Sequence, residues 1–126
     1  MPIDFSLDSV LRDIMVAEKC ISDRFLAGSV AYHLQQATEK ILKIEIASRE
    51  EDFRLYTHDI TTLCDYSANK KYDFYIPDFV LLNSGIITSW EAKSRYNDSF
   101  EVEEDELSSC LKVIKEWYVI VAGRES

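Results

Sequence analysis

The sequence predicts an all-α fold, an antiparallel up-and-down bundle of four or five helices in one domain spanning residues 1–126. Three observations carry that expectation. The 126 residues include only Gly 3 and Pro 2, too few to punctuate the many turns of a β-sandwich. Apolar residues make up 47% of the chain, enough to bury one core in a domain of this length. The apolar positions recur at helical rather than alternating spacing.

The first helix is predicted from Ser6 to about Ile21, with Val10, Leu11, Ile14, Ala17 and Ile21 on one face and Ser6 or Asp8 as its cap. The second runs from about Leu26 to Glu50, its face formed by Val30, Leu34, Ala37, Ile41 and Ile44. Successive residues lie 100° apart, which gives this helix a second apolar strip of Ala31, Thr38, Leu42 and Ile46 on roughly the opposite side. A helix apolar on two sides is either central in a bundle or shared with a neighbouring subunit. "YTHDITTLCDYSA" reads as a short third helix capped by Thr57, with Ile60 and Leu63 inward. The fourth begins near Ile76 or Pro77 and ends near Arg95, with Phe79, Leu82, Ile86 and Trp90 as its stripe. After the acidic turn "YNDSFEVEEDE", a fifth helix carries Leu107, Leu111, Ile114, Trp117 and Val121. "WYVIV" alone would score as strand, but it continues this stripe and is read as helix.

Charge and cysteine usage narrow the function classes. The net charge is −9, and nucleic-acid binding is driven by Lys and Arg releasing counterions, so RNA would need a local basic patch. Cys20, Cys64 and Cys110 include no Cys-x-x-Cys pair. They are expected to be reduced, mostly buried thiols in a cytoplasmic protein. His33 and His58 are the only histidines and stand far apart, so no zinc site, other metal site or cofactor is expected. No secretory leader is read at the start, and no apolar run approaches the roughly 18 residues that span a bilayer.

Candidate site residues come from four places. His33, Gln36, Lys40 and Lys43 step by three, four and three along one edge of the second helix. Such a row is a solvated border, with Glu39 and Lys43 as an ordinary i,i+4 pair, or a holder of phosphate or carboxylate. His58, just after the predicted cap, could orient a ligand or move a proton. Arg95 and Tyr96 could bind phosphate and stack a base, or simply end the fourth helix. Glu101, Glu103, Glu104, Asp105 and Glu106 read as a solvated helix start. No catalytic residue is assigned.

"YHLQQATEKILKI", then "THDITTL", then "SRYND" before a final helix resembles the HEPN domain family in order and spacing over nearly the whole chain. The resemblance implies a five-helix bundle that pairs as a homodimer, often beside a minimal nucleotidyltransferase. Some members are ribonuclease toxins and others bind nucleotides without cutting. The cutting branch needs a His four to six positions after an Arg near the last helices, and no His follows His58. "RLYTH" matches the count through Arg54 and His58, but lies before the third helix. The leading expectation is therefore a non-catalytic HEPN module that binds a nucleotide, a minimal nucleotidyltransferase, or both, in a toxin–antitoxin-like pair. Its contact residues would be Gln36, Lys40, Lys43, His58, Arg95 and Tyr96. In it Lys40, Lys43 and Arg95 form one cationic cleft. The alternatives are a ribonuclease with an atypical Arg/His pair, and a ligand-free dimerising scaffold glued by the second strip of the second helix.

Overall fold

A computed structural model describes residues 6–96 and 102–125; the side chains of residues 94–96 and 125 lie outside it. Five helices follow in order: α1 Leu7–Cys20, α2 Ala27–Ala47, α3 Ile60–Asn69, α4 Asp78–Tyr96 and α5 Glu104–Glu125. No strand occurs among the described residues, and the all-α expectation is met. A single 3₁₀ turn at Arg24–Leu26 joins α1 to α2. Helix α2 is the axle: it packs against α1, α3, α4 and α5, and α1 also meets α5 while α3 meets α4.

Burial explains why α2 is apolar on two sides. Its first strip is buried from Val30 to Ile41, with Ile44 partly buried, and its second strip, Ala31, Thr38, Leu42 and Ile46, is sealed inside the monomer. The second strip is therefore core and cannot serve as glue between subunits, which removes the basis of the scaffold alternative.

Local chemistry sets the helix ends. Ser6 caps α1, its Oγ accepting from Ser9 N at 3.1 Å. Asp59, not Thr57, caps α3 by accepting from Thr62 N at 3.3 Å. Thr57 Oγ1 instead accepts from Asp59 N at 3.0 Å, a turn that delivers the chain to the cap. At the other end Lys71 has φ 60. Its N–H bonds Ala68 O and the Tyr72 N–H bonds Ser67 O, both at 3.0 Å, closing the helix with a left-handed residue. Tyr66 and Tyr72 hydroxyls both donate to the Glu50 carboxylate, at 2.6–2.7 Å, pinning the end of α2 to the end of α3.

Helix α5 buries all five predicted positions, Leu107, Leu111, Ile114, Trp117 and Val121. Helix α4 follows its prediction at Trp90 and departs from it at Leu82 and Ile86. It buries Val80, Ile87 and Trp90, while Leu82 is 83% exposed and Ile86 47%. The buried register runs one residue later through Asn83, which has non-helical φ −117 and ψ 18. Its Nδ2 donates to Phe79 O at 2.8 Å. A polar residue at an inward position is tolerated because it bonds the backbone of its own kinked turn.

No helix among the described residues is long and apolar enough to cross a membrane. Cys64 and Cys110 are buried and Cys20 is half-buried, all unpaired with one another. Burial, with Asp65 and Asp59 nearby, pushes the Cys64 thiol up to about 11, and burial with Glu106 pushes Cys110 up to about 12. Neither is a thiolate near neutrality, so neither is poised as a nucleophile.

Candidate functional site

Most of the buried polar and charged side chains lie on α2: Gln35, Thr38, Glu39, Lys43 and Glu45. Glu39 is the hub. It is 2% exposed and accepts from Gln35 Nε2 at 2.9 Å, from Lys43 Nζ at 2.9 Å and from His58 Nδ1 at 3.0 Å. Gln35 Nε2 also donates to His58 O at 3.2 Å, and Gln36 Nε2 donates to Gln35 Oε1 at 2.8 Å. Among the described residues no buried side-chain nitrogen or oxygen lacks a partner. A buried carboxylate is tolerable only in such company, since its desolvation must be offset by several donors.

His58 is the open end of this network. Its side chain is 66% exposed, whereas Glu39 and Lys43 are nearly sealed. The carboxylate accepts the Nδ1–H, so in the neutral ring Nε2 carries the free lone pair. The backbone bond from Gln35 fixes the segment that holds the ring. The result is an imidazole with its near nitrogen anchored and its exposed body available to a partner.

A second cluster sits at the α1–α2 seam. Asp13 receives His33 Nδ1 at 2.7 Å and Lys40 Nζ at 2.7 Å, and Lys40 also donates to Ser9 Oγ at 2.7 Å. A third joins α2 to the end of the chain, where Glu45 meets Arg49 at 3.3 Å and Arg124. Arg49 also stacks over the Phe74 ring.

The predicted site residues distribute as follows. Gln36 and His58 belong to the Glu39 network. Lys43 belongs to it too, but as a buried ion-pair partner. Lys40 points instead to α1 and Asp13. The two lysines thus lean on separate carboxylates rather than forming a shared cationic pair. Arg95 and Tyr96 are the last two residues of α4, and their side chains lie outside the described residues. Arg54 is exposed and donates to Phe53 O at 3.3 Å, while the His58 ring bonds Glu39. Glu101 lies outside the described residues; Glu104, Asp105 and Glu106 form the first turn of α5, at its positive end.

The residues that sequence reasoning missed are Gln35, Glu39 as a hub, and Asp13. A signal existed. Gln35 and Glu39 continue the second apolar strip between Ala31 and Leu42, and polar groups inside an apolar strip mark a buried polar site.

The HEPN domain model matches residues 5–123 of the chain. The chain belongs to the HEPN domain family. No curated protein and no solved structure compared with the chain matches it. In HEPN terms, the Gln-Gln-x-x-Glu-Lys-x-x-Lys segment of α2 supplies Gln35, Gln36, Glu39, Lys40 and Lys43. The Thr-His-Asp segment supplies the ring that Glu39 holds. Two of the three segments that resemble the family therefore build one contiguous network.

Proposed function

We propose that this HEPN domain is a non-catalytic binding module whose recognition surface centres on His58 and the Glu39 network, and whose partner is a minimal nucleotidyltransferase. One observation carries the reading: a sealed carboxylate, itself held by Gln35 and Lys43, fixes an imidazole that is otherwise largely in solvent. Ordering cost that is met within the fold is not charged again on binding. Gln36 and His58 offer the partner hydrogen bonds. A nucleotide would draw its phosphate contact from Arg95 and its stacking from Tyr96. Lys40 and Lys43 would join only by loosening their hold on Asp13 and Glu39. The module pairs with a copy of itself and acts with its partner as a toxin–antitoxin-like couple.

The test is calorimetric titration of the purified protein with ATP, with GTP and with a minimal nucleotidyltransferase. Saturable binding to the transferase is expected, weakened about tenfold or more in His58→Ala. Any ATP or GTP binding should fall in Arg95→Ala. No saturable binding to any of the three removes the reading.

The Glu39–His58 pair also favours a second reading, because a carboxylate on Nδ1 orients a histidine for proton transfer at Nε2. A ribonuclease of this kind would arrest growth on expression, and His58→Ala would relieve the arrest. Normal growth with soluble wild-type protein present argues against it.

A further inference from the structure

Helix α4 carries a second apolar register that the monomer leaves uncovered. Leu82 and Ile86 are exposed, and Phe79, at the head of that register, is half-buried. Phe79 forms one wall of a groove of about 540 Å³, and α5 forms the other through Val113, Trp117, Val119 and Ile120. The Trp117 indole Nε1 donates to Tyr75 O at 3.1 Å. Its polar atom is thus spent, and what it turns to the groove is hydrocarbon. Val119 is 67% exposed and Ile120 45%. Apolar side chains spaced along α5 and facing Pro77 and Phe79 across a groove have the form of a helix-docking site.

Charge identifies the occupant. Asp78 and Glu116 are the charged side chains that line the groove, and neither has an ion-pair partner among the described residues. On a chain of net charge −9, a second copy would bring acidic surface against these two carboxylates. A cationic segment complements them. We propose that the groove between the start of α4 and α5 docks a basic amphipathic helix of a partner protein. Apolar side chains of that helix, spaced by three or four, fill the groove against Trp117 and Val119. Its Lys or Arg residues pair with Asp78 and Glu116. None of these residues belongs to the His58 network, so the surface is independent of the function proposed above.

The probes are two synthetic amphipathic helices of about 15 residues, one built from Leu and Lys and one from Leu and Glu with the same apolar face. Binding is read by fluorescence anisotropy on the full chain. The Leu/Lys helix is expected to bind one to one, and the Leu/Glu helix about tenfold more weakly or worse. Asp78→Asn with Glu116→Gln should weaken the Leu/Lys helix. Val119→Asp is the decisive variant. It sits on the surface, so helicity by circular dichroism should be unchanged, and it adds negative charge. Groove binding predicts a loss of about tenfold or more, whereas diffuse attraction to an acidic surface predicts equal or tighter binding. Equal or tighter binding by Val119→Asp overturns the proposal, as does failure of the Leu/Lys helix to bind. A wild-type dimer that Val119→Asp converts to monomer also overturns it, because the occupant is then a second copy.

Discussion

Helix α2 builds two clusters of the same composition, a carboxylate holding one histidine and one lysine, and they end in different places. Asp13 holds His33 and Lys40, while Glu39 holds His58 and Lys43. In the first, all three members are tucked into the α1–α2 seam, and the His33 side chain is 26% exposed. In the second, the carboxylate and lysine are buried deeper, yet the histidine comes from the segment before α3 and is 66% exposed. The first cluster uses its histidine to join two helices. The second spends three donors on one carboxylate and leaves most of its ring in water. Similar chemistry leaves the imidazole tucked in a helix seam or open to solvent according to which element delivers it.

The largest expected break is Glu39→Ala. It withdraws the shared acceptor from Gln35, Lys43 and His58 in a sealed environment, and should destabilise the fold by about 3–5 kcal/mol in denaturant titration. Asp13→Ala removes the equivalent acceptor at a wetter site, with an expected loss of about 1–2 kcal/mol. If the two variants cost the same, the difference in burial does not govern these clusters.

The histidines sharpen the contrast. His33→Ala should lower stability by about 1 kcal/mol through its bond to Asp13. His58→Ala should change stability by no more than about 0.5 kcal/mol while it weakens partner binding. A His58→Ala variant that unfolds readily would place His58 among the structural residues with His33.

Glu50 supplies a control, a carboxylate held by phenols rather than by cations. The Tyr66 hydroxyl, and then that of Tyr72, hold its carboxyl below the ordinary 4.5. The same bonds push Tyr66 up to about 12 and raise Tyr72 above the ordinary 10.0. The depressed carboxyl stabilises the fold above its ordinary value, and that contribution is lost as pH falls through the native one. The raised phenols stabilise the fold below 10.0, and their contribution is lost as pH rises toward about 12. These groups are solvent-screened, so this is the smallest effect expected. Tyr66→Phe with Tyr72→Phe should flatten both limbs of a stability–pH curve, leaving the alkaline loss from the buried cysteines. An unchanged curve would mean that the bonds to Glu50 are not maintained in solution.

The fold was legible where helical period was uninterrupted. In α5 the stripe from Leu107 to Val121 holds from end to end because nothing breaks the helix. In α4 the predicted stripe of Phe79, Leu82, Ile86 and Trp90 is buried at Trp90 but exposed at Leu82 and Ile86. Asn83 takes the inward position by bonding to Phe79 O, and no count of apolar residues anticipates that. Periodicity of α2 announced two apolar faces, and burial decided between a central helix and a shared one.

The site was half legible. The polar row picked out Gln36, Lys40 and Lys43, and the Thr-His-Asp segment picked out His58. The Lys43–Glu39 pair was legible at i,i+4, but the bonds from Lys40 to Asp13 and from His58 to Glu39 span long sequence separations, which helical spacing does not encode. Glu39 looked like an ordinary i,i+4 partner of Lys43 worth a few tenths of a kcal/mol. Burial makes it the centre of the network.

The state of the His58 ring is the most direct measure of whether that network presents a site. Long-range ¹H–¹⁵N correlation spectra of the neutral imidazole should show the Nδ1–H tautomer, with Nε2 unprotonated, and Glu39→Gln should disturb it. An Nε2–H tautomer in the wild-type protein would mean that Glu39 does not hold the ring, and the surface proposed around His58 would lose its foundation.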